Sequence, residues 1–139
     1  MQTTSITMTI VILLLIVVLF LAVSFANKKI DTSRKVEILN KLKELEIHIQ
    51  SLDSSVRRDS VIKLDNLLAK SLQYYFNNTN TCGDNLKKSS SIFKRKELDE
   101  LWSVHKIRND IVHNDYDIDQ EEAINVFNIY KFSINKILK

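Results

Sequence analysis

The sequence predicts an all-α fold, with a single transmembrane helix followed by a bundle of four to five helices. Residues that interrupt helices are nearly missing, since the 139 residues contain no proline and one glycine, Gly83. Leu, Ile, Lys, Asn and Glu are abundant, which favours helices joined by short loops. Through most of the charged part of the chain, apolar residues recur every three or four positions, as they do on one face of a helix.

Charge and cysteine content set outer limits on the function. Residues 1–27 carry no charged side chain, so all 20 Lys and Arg and all 17 Asp and Glu lie in the part that follows, which has the size of one small domain. The net charge of +3 permits an anionic partner without requiring one. The single cysteine, Cys82, cannot form an internal disulfide, and this fits either a reducing compartment or a protein indifferent to redox conditions.

The first 27 residues are predicted to be a transmembrane anchor. Ile6–Ala26 is an uncharged, mostly apolar run, and as a helix it would cover about 30 Å, the thickness of a bilayer core. A cleaved signal peptide is the alternative. We favour the anchor, because no basic region precedes the run and the run is longer than a usual signal-peptide core.

Basic residues close behind the apolar run predict the orientation of the anchor. Lys28, Lys29, Arg34 and Lys35 follow it, whereas no basic side chain precedes it. The positive-inside tendency therefore puts the C-terminal domain in the cytoplasm. We expect a single-pass protein of the inner or plasma membrane that contacts the lipid bilayer through residues 6–26.

Residues 28–54 are predicted to form a juxtamembrane helix that packs on the bundle or leads into it. Asp31, Thr32 or Ser33 can cap its start. Its apolar residues follow a heptad pattern, which suits either bundle packing or a dimeric coiled coil. We favour bundle packing, because fewer than three full heptads make a short coiled coil. The pattern consists of Ile38, Leu42, Leu45, Ile49, Leu52 and Val56.

Residues 55–139 are predicted to be the helical domain proper. Its first helix should run from about residue 55 to 76, and the polar segment 77–84 should be a loop with Thr81 as the cap of a short helix. Arg57 and Arg58 stand near a helix start, where the helix dipole disfavours cations. We expect both arginines to be solvated, with binding of an acidic partner or a phosphate as the alternative.

Two longer helices complete the predicted domain. The first should begin near Lys96 and end before residues 114–117. Asp119 should cap the last helix, and Glu122 stands where the partner residue of a capping box is found.

The segment between residues 101 and 116 concentrates the polar groups that can carry chemistry. His105, Asn109 and His113 are four residues apart and therefore form one stripe on a helix. Arg108 lies one step round from that stripe. Its side chain is long enough to reach a phosphate that His113 also contacts.

This segment resembles the R-x4-H motif of the HEPN superfamily, whose members are small helical domains that are often ribonucleases or toxins. The motif reads R-N-D-I-V-H at Arg108–His113. The runs Arg58–Leu68 and Glu100–Asn109 fit the family pattern, and Asp119–Ala123 opens a last helix in the expected place. The resemblance covers residues 55–139.

The resemblance implies a metal-independent endoribonuclease or an RNA-binding domain that acts as a homodimer. Arg108 would hold the phosphate, Asn109 would orient groups in the site, and His113 would act as general acid or base. His105 lies outside the motif and is either a substrate contact or a core histidine bonded to Asn109. Neither a cofactor nor a metal ion is implied.

A non-catalytic module is the alternative function. In that interpretation the same polar residues hold together a dimer or an interface with an unidentified protein partner, because a shared fold does not establish an activity.

Overall fold

The computed structural model describes residues 2–26 and 30–139, with side chains from residues 7–22 and from residue 30 onward. All regular structure in this part of the chain is helical, so the predicted all-α class is confirmed. A short 3-10 turn covers Ser89–Ser91. The α-helices are α1 (Gln2–Ala26), α2 (Thr32–His48), α3 (Ser54–Phe76), α4 (Cys82–Lys87), α5 (Arg95–His113) and α6 (Gln120–Ile137).

The predicted membrane anchor is wrong. None of the helices in the described ranges combines the length and the apolar character that a membrane crossing requires. The transmembrane helix at residues 1–27, the bilayer contact of residues 6–26 and the single-pass location in the inner or plasma membrane are therefore not supported.

The predicted orientation loses its basis together with the anchor. Lys28 and Lys29, two of the basic residues from which a cytoplasmic C-terminal domain was inferred, lie outside the described residues.

Helix α3 is the central element of the bundle and packs against α2, α4, α5 and α6. Its inward face is fully buried at Val61, Leu64, Leu68 and Leu72. Each such side chain stabilises the fold by about 1.5–3 kcal/mol relative to an exposed position. The arrangement follows from the apolar spacing of α3, which presents one continuous stripe to its neighbours.

The heptad pattern of α2 faces the bundle. Ile38, Leu42, Leu45 and Ile49 are buried, and α2 packs on α3. The predicted bundle packing of this pattern is thus confirmed. Leu52 is exposed, because α2 ends at His48 and the chain turns before α3 begins.

Two of the predicted caps are present, whereas Asp31 at the start of α2 makes no side-chain cap hydrogen bond. The side chain of Thr81 accepts a hydrogen bond from the Asp84 backbone N–H at the start of α4, and the Asp119 carboxylate does the same for Glu122 N–H at the start of α6. The Glu122 carboxylate accepts instead from the Tyr116 hydroxyl, at 2.7 Å. The capping box of α6 is therefore only half formed.

Arg57 corrects the prediction of two solvated arginines. Its side chain is buried, and its Nε–H donates to the Ile118 carbonyl at 3.0 Å. Its Nη1 donates to the carbonyls of Ser51 and Leu52 at 3.0 and 2.9 Å. Arg57 thereby joins the loop before α3 to the loop before α6. Arg58 is half-buried at the surface, where it pairs with an exposed carboxylate.

We expect Arg57→Ala to lower the free energy of unfolding by about 2–3 kcal/mol, because three carbonyl groups lose a charged donor. Urea unfolding followed by circular dichroism measures the change. Arg58→Ala is the matched control and should cost less than about 1 kcal/mol, since its ion pair with the exposed Asp115 is screened by solvent. Equal losses in the two variants would show that the Arg57 contacts do not stabilise the fold.

Candidate functional site

A buried carboxylate on α3, that of Asp65, is the centre of the polar site. Its side chain is 4% exposed. Its Oδ1 accepts from the Tyr130 hydroxyl at 3.0 Å and lies 2.7 Å from Nδ1 of His105. The Cys82 thiol lies 3.8 Å from the same oxygen. One carboxylate oxygen thus connects α3 to α4, α5 and α6.

Arg108 lies on the other side of this carboxylate. Its Nε is 3.6 Å from Asp65 Oδ2, which is an ion-pair distance but too long for a hydrogen bond. Its Nη1 donates to the Asn109 side-chain oxygen at 3.0 Å, and the side chain is 25% exposed. The guanidinium therefore has one edge against the buried anion and another edge near solvent. The Asp65 cluster comprises Asp65, Cys82, His105, Arg108 and Tyr130.

Helical spacing explains how the chain assembles this cluster. Asp65 comes four residues after Val61 and three before Leu68, so it lies on the buried face of α3. His105 and Arg108 are three residues apart and share one face of α5. A carboxylate in such a position needs donors and a cation, because burial of an unpaired charge costs several kcal/mol.

Two members of the cluster stay protonated. Burial raises the pKa of the Tyr130 hydroxyl well above its ordinary value, and the neighbouring Asp65 charge raises it further. Burial also raises the pKa of the Cys82 thiol, and the neighbouring Asp65 charge raises it further. Both groups are therefore neutral donors, and both face the Asp65 carboxylate.

His105 was expected to be either a substrate contact or a core histidine bonded to Asn109, and its contacts differ from both. Its Nδ1 binds Asp65, and the predicted bond to Asn109 is wrong, because the Asn109 oxygen accepts from Arg108. The ring is 15% exposed and packs edge-on against Trp102, with the ring centres 5.8 Å apart. Its Nε2 makes no hydrogen bond to the described residues and is not sealed from solvent.

A pocket of about 390 Å³ opens beside the cluster, between α3, α4 and α5. Amide, hydroxyl, imidazole and guanidinium groups reach its wall, together with the buried carboxylate. The side chains that supply the neutral and cationic groups are Asn66, Gln73, Thr81, His105, Arg108 and Asn109.

A second depression lies further along the same two helices and also measures about 390 Å³. Arg58, Ile62, Ile111 and Val112 are among its lining residues. We call the surface formed by the two pockets the α3–α5 face.

The structure brings together only part of the predicted site. Arg108, Asn109 and His105 line one pocket, whereas His113 lines neither pocket of the α3–α5 face and is exposed in the last turn of α5. His113 lies five positions after Arg108, which amounts to about 7.5 Å along the helix and a rotation of about 140°. The catalytic roles of Arg108, Asn109 and His113 and the substrate-binding roles of Arg108 and His105 stay predictions.

Asp65 is the residue that sequence reasoning missed. A single aspartate in an amphipathic helix is usually assigned to the solvated face. The sequence feature that could have identified Asp65 is its position within the apolar stripe of α3. A charged residue in such a stripe must find partners inside the fold.

Three cluster members carry atoms of the kinds that bind zinc. The donor atoms of Asp65, Cys82 and His105 all lie within 4.8 Å of one another. As arranged, however, the thiol and the imidazole both meet the same Asp65 oxygen, and the Arg108 cation lies 3.6 Å from the other oxygen. A metal ion would have to displace the thiol proton, which the raised Cys82 pKa opposes. The cluster is a hydrogen-bond network around one anion.

Comparison with protein families, curated proteins and solved structures gave no match to this chain. The resemblance to HEPN domains therefore depends on the motif and its flanking helices alone. The geometry of the site is the remaining guide to function.

We expect alkylation of Cys82 by iodoacetamide to be at least about tenfold slower in the folded protein than in urea at pH 8.5, where an ordinary thiol is about half ionised. The raised pKa leaves less reactive thiolate at any given pH. The rate in the folded protein should keep rising at pH values where the unfolded thiol has reached its plateau.

The matched control is Asp65→Asn, which removes the nearby negative charge and should raise the rate in the folded state. If Cys82 is alkylated equally fast in the folded and the unfolded protein at pH 8.5, the thiol is not buried beside the Asp65 carboxylate.

Proposed function

We propose that this protein binds single-stranded RNA on the α3–α5 face and cleaves it without a metal ion, as a HEPN-like ribonuclease. The observation that carries the proposal is the position of Arg108, whose guanidinium reaches an open pocket between His105 and Asn109. A planar guanidinium matches the oxygens of a phosphate and keeps its charge at any physiological pH.

The surroundings of Arg108 leave donors for a phosphate. A guanidinium has five N–H groups, and one hydrogen bond from Arg108, to Asn109, engages only part of that set. Asp65 approaches Nε from the buried side at 3.6 Å and so holds the arm in place. Such preorganisation strengthens an electrostatic contact, because the arm needs no rearrangement when the anion arrives.

The proposed chemistry is the attack of a ribose 2′-hydroxyl on the neighbouring phosphate. Arg108 stabilises the charge that develops on the phosphate oxygens. His113 serves in proton transfer, because its imidazole is exposed in the last turn of α5. Asn109 orients the guanidinium through its hydrogen bond.

We further propose that two copies associate through the α3–α5 face. Val112 is an apolar side chain that is 45% exposed, and half-buried Ile62 lines the same depression. Apolar groups in contact with solvent at the edge of a polar site favour a protein contact there. Association of this kind would add a second Arg108 and a second His113 to the site.

Val112 also supports a second candidate function. A dimerising or partner-binding module without turnover would use the apolar residues of the α3–α5 face and would need no RNA. In that case the Asp65 cluster only keeps the helices in register.

The test uses the full 139-residue chain with labelled single-stranded RNA in excess chelator. We expect Arg108→Ala to weaken RNA binding about tenfold or more, which is the loss of one charged hydrogen-bonding group. His113→Ala should leave binding within about twofold and should slow cleavage about 100-fold or more. Binding is measured by fluorescence anisotropy and cleavage by gel electrophoresis.

Two matched controls test whether loss of an arginine or a histidine outside the site has the same effect. Arg95→Ala removes an exposed arginine at the start of α5, and His48→Ala removes an exposed histidine on α2. Both should bind and cleave as the parent does. If the parent neither binds nor cleaves RNA, and if Val112→Ser converts a dimer to a monomer in light scattering, the non-catalytic module is correct.

A further inference from the structure

The pairing of His105 with Asp65 fixes which imidazole nitrogen is free. The carboxylate accepts, so the 2.7 Å contact requires a proton on Nδ1. In the neutral ring, Nε2 then carries the lone pair and acts as the basic atom. That atom has no hydrogen-bond partner among the described residues and belongs to a ring that lines the open pocket.

The glycine of the chain stands next to this atom. A Cβ built on Gly83 would lie 3.9 Å from His105 Nε2 and 3.7 Å from the Trp102 ring. No side chain of α4 therefore covers the basic nitrogen at this position. The space left by Gly83 belongs to the same pocket.

The spacing on α5 puts this nitrogen near the phosphate-binding group. His105 and Arg108 are one helical turn apart on one face, where side chains are neighbours. In RNA, the 2′-hydroxyl and the phosphate that it attacks belong to adjacent positions of one nucleotide. His113, by contrast, is turned about 140° away from Arg108 around the helix.

We infer that His105 is the general base of the site and that Asp65 is its positioning residue, an assignment that rests on the proposed function. His105 Nε2 takes the proton of the ribose 2′-hydroxyl. The 2′-oxygen forms a bond to phosphorus and the bond from phosphorus to the 5′-oxygen breaks. The departing 5′-oxygen takes a proton from His113, which regains one from solvent, and His105 then returns its proton to solvent.

The rest of the cluster supports Asp65 in this role. Tyr130 and Cys82 donate to the carboxylate from α6 and α4, and the Arg108 cation lies beside it on α5. These are the titratable and charged members of the cluster around the His105–Asp65 pair. They hold the carboxylate at one position, so the imidazole is held in one tautomer and one orientation.

The first test is RNA cleavage by the full chain. His105→Ala and Asp65→Asn should each slow cleavage about 100-fold, while RNA binding stays within about threefold. His48→Ala on α2 and Asp99→Asn on α5 are the matched controls, since both side chains are exposed and neither lines the pocket. Both should retain cleavage within a few-fold. Added imidazole should restore part of the activity of His105→Ala.

The second test does not depend on the folding of a charge variant. Gly83→Ala adds a methyl group at an ordinary contact distance from Trp102 and within reach of His105 Nε2. We expect its melting temperature to equal or exceed that of the parent, because alanine favours a helix over glycine. Cleavage should nonetheless fall several-fold, because the methyl group crowds the basic nitrogen.

Nitrogen NMR of the imidazole checks the tautomer on which the assignment of the base depends. The parent should show His105 as the Nδ1–H tautomer, and Asp65→Asn should lose that preference. If the parent carries the proton on Nε2, or if His105→Ala cleaves as fast as the parent, the inference is overturned and the proposed function stands. If the parent does not cleave RNA at all, the proposed function fails and the assignment of a base fails with it.

Discussion

The need to satisfy one buried carboxylate governs the architecture of this bundle. Asp65 lies on the inward face of α3, where an unpaired negative charge would cost several kcal/mol. Its partners come from the three helices that follow α3: the Cys82 thiol, the His105 imidazole with the Arg108 guanidinium, and the Tyr130 hydroxyl. Because hydrogen bonds depend on distance and angle, these contacts fix the positions of α4, α5 and α6 more narrowly than apolar packing alone.

The contacts with Asp65 also position two side chains at the surface next to the core. His105 and Arg108 each have one edge against Asp65 and another edge in the pocket. Their outward groups are held by an inward contact, so the pocket presents an ordered imidazole and an ordered guanidinium. We regard this coupling between core and surface as the main support for a binding function on the α3–α5 face.

Sequence reasoning located the bundle helices and the caps Thr81 and Asp119, because these follow from local spacing and from single residues. It failed where the deciding partner is distant in sequence. The sequence does not distinguish the neighbours Arg57 and Arg58, and one acceptor of Arg57, the Ile118 carbonyl, is 61 positions away. The partner of His105 is 40 positions away. The anchor prediction rested on the uncharged composition of residues 6–26, and none of the helices in the described residues has the length and apolar character that a membrane crossing requires.

The connectivity of the cluster also bears on how the domain emerges from the ribosome. Tyr130 belongs to α6, the last helix of the bundle, and Asp65 belongs to α3. A nascent chain that has released α3 through α5 still lacks one donor and the whole apolar face of α6. The buried anion thus lacks its Tyr130 donor until α6 has been translated and has docked on α3.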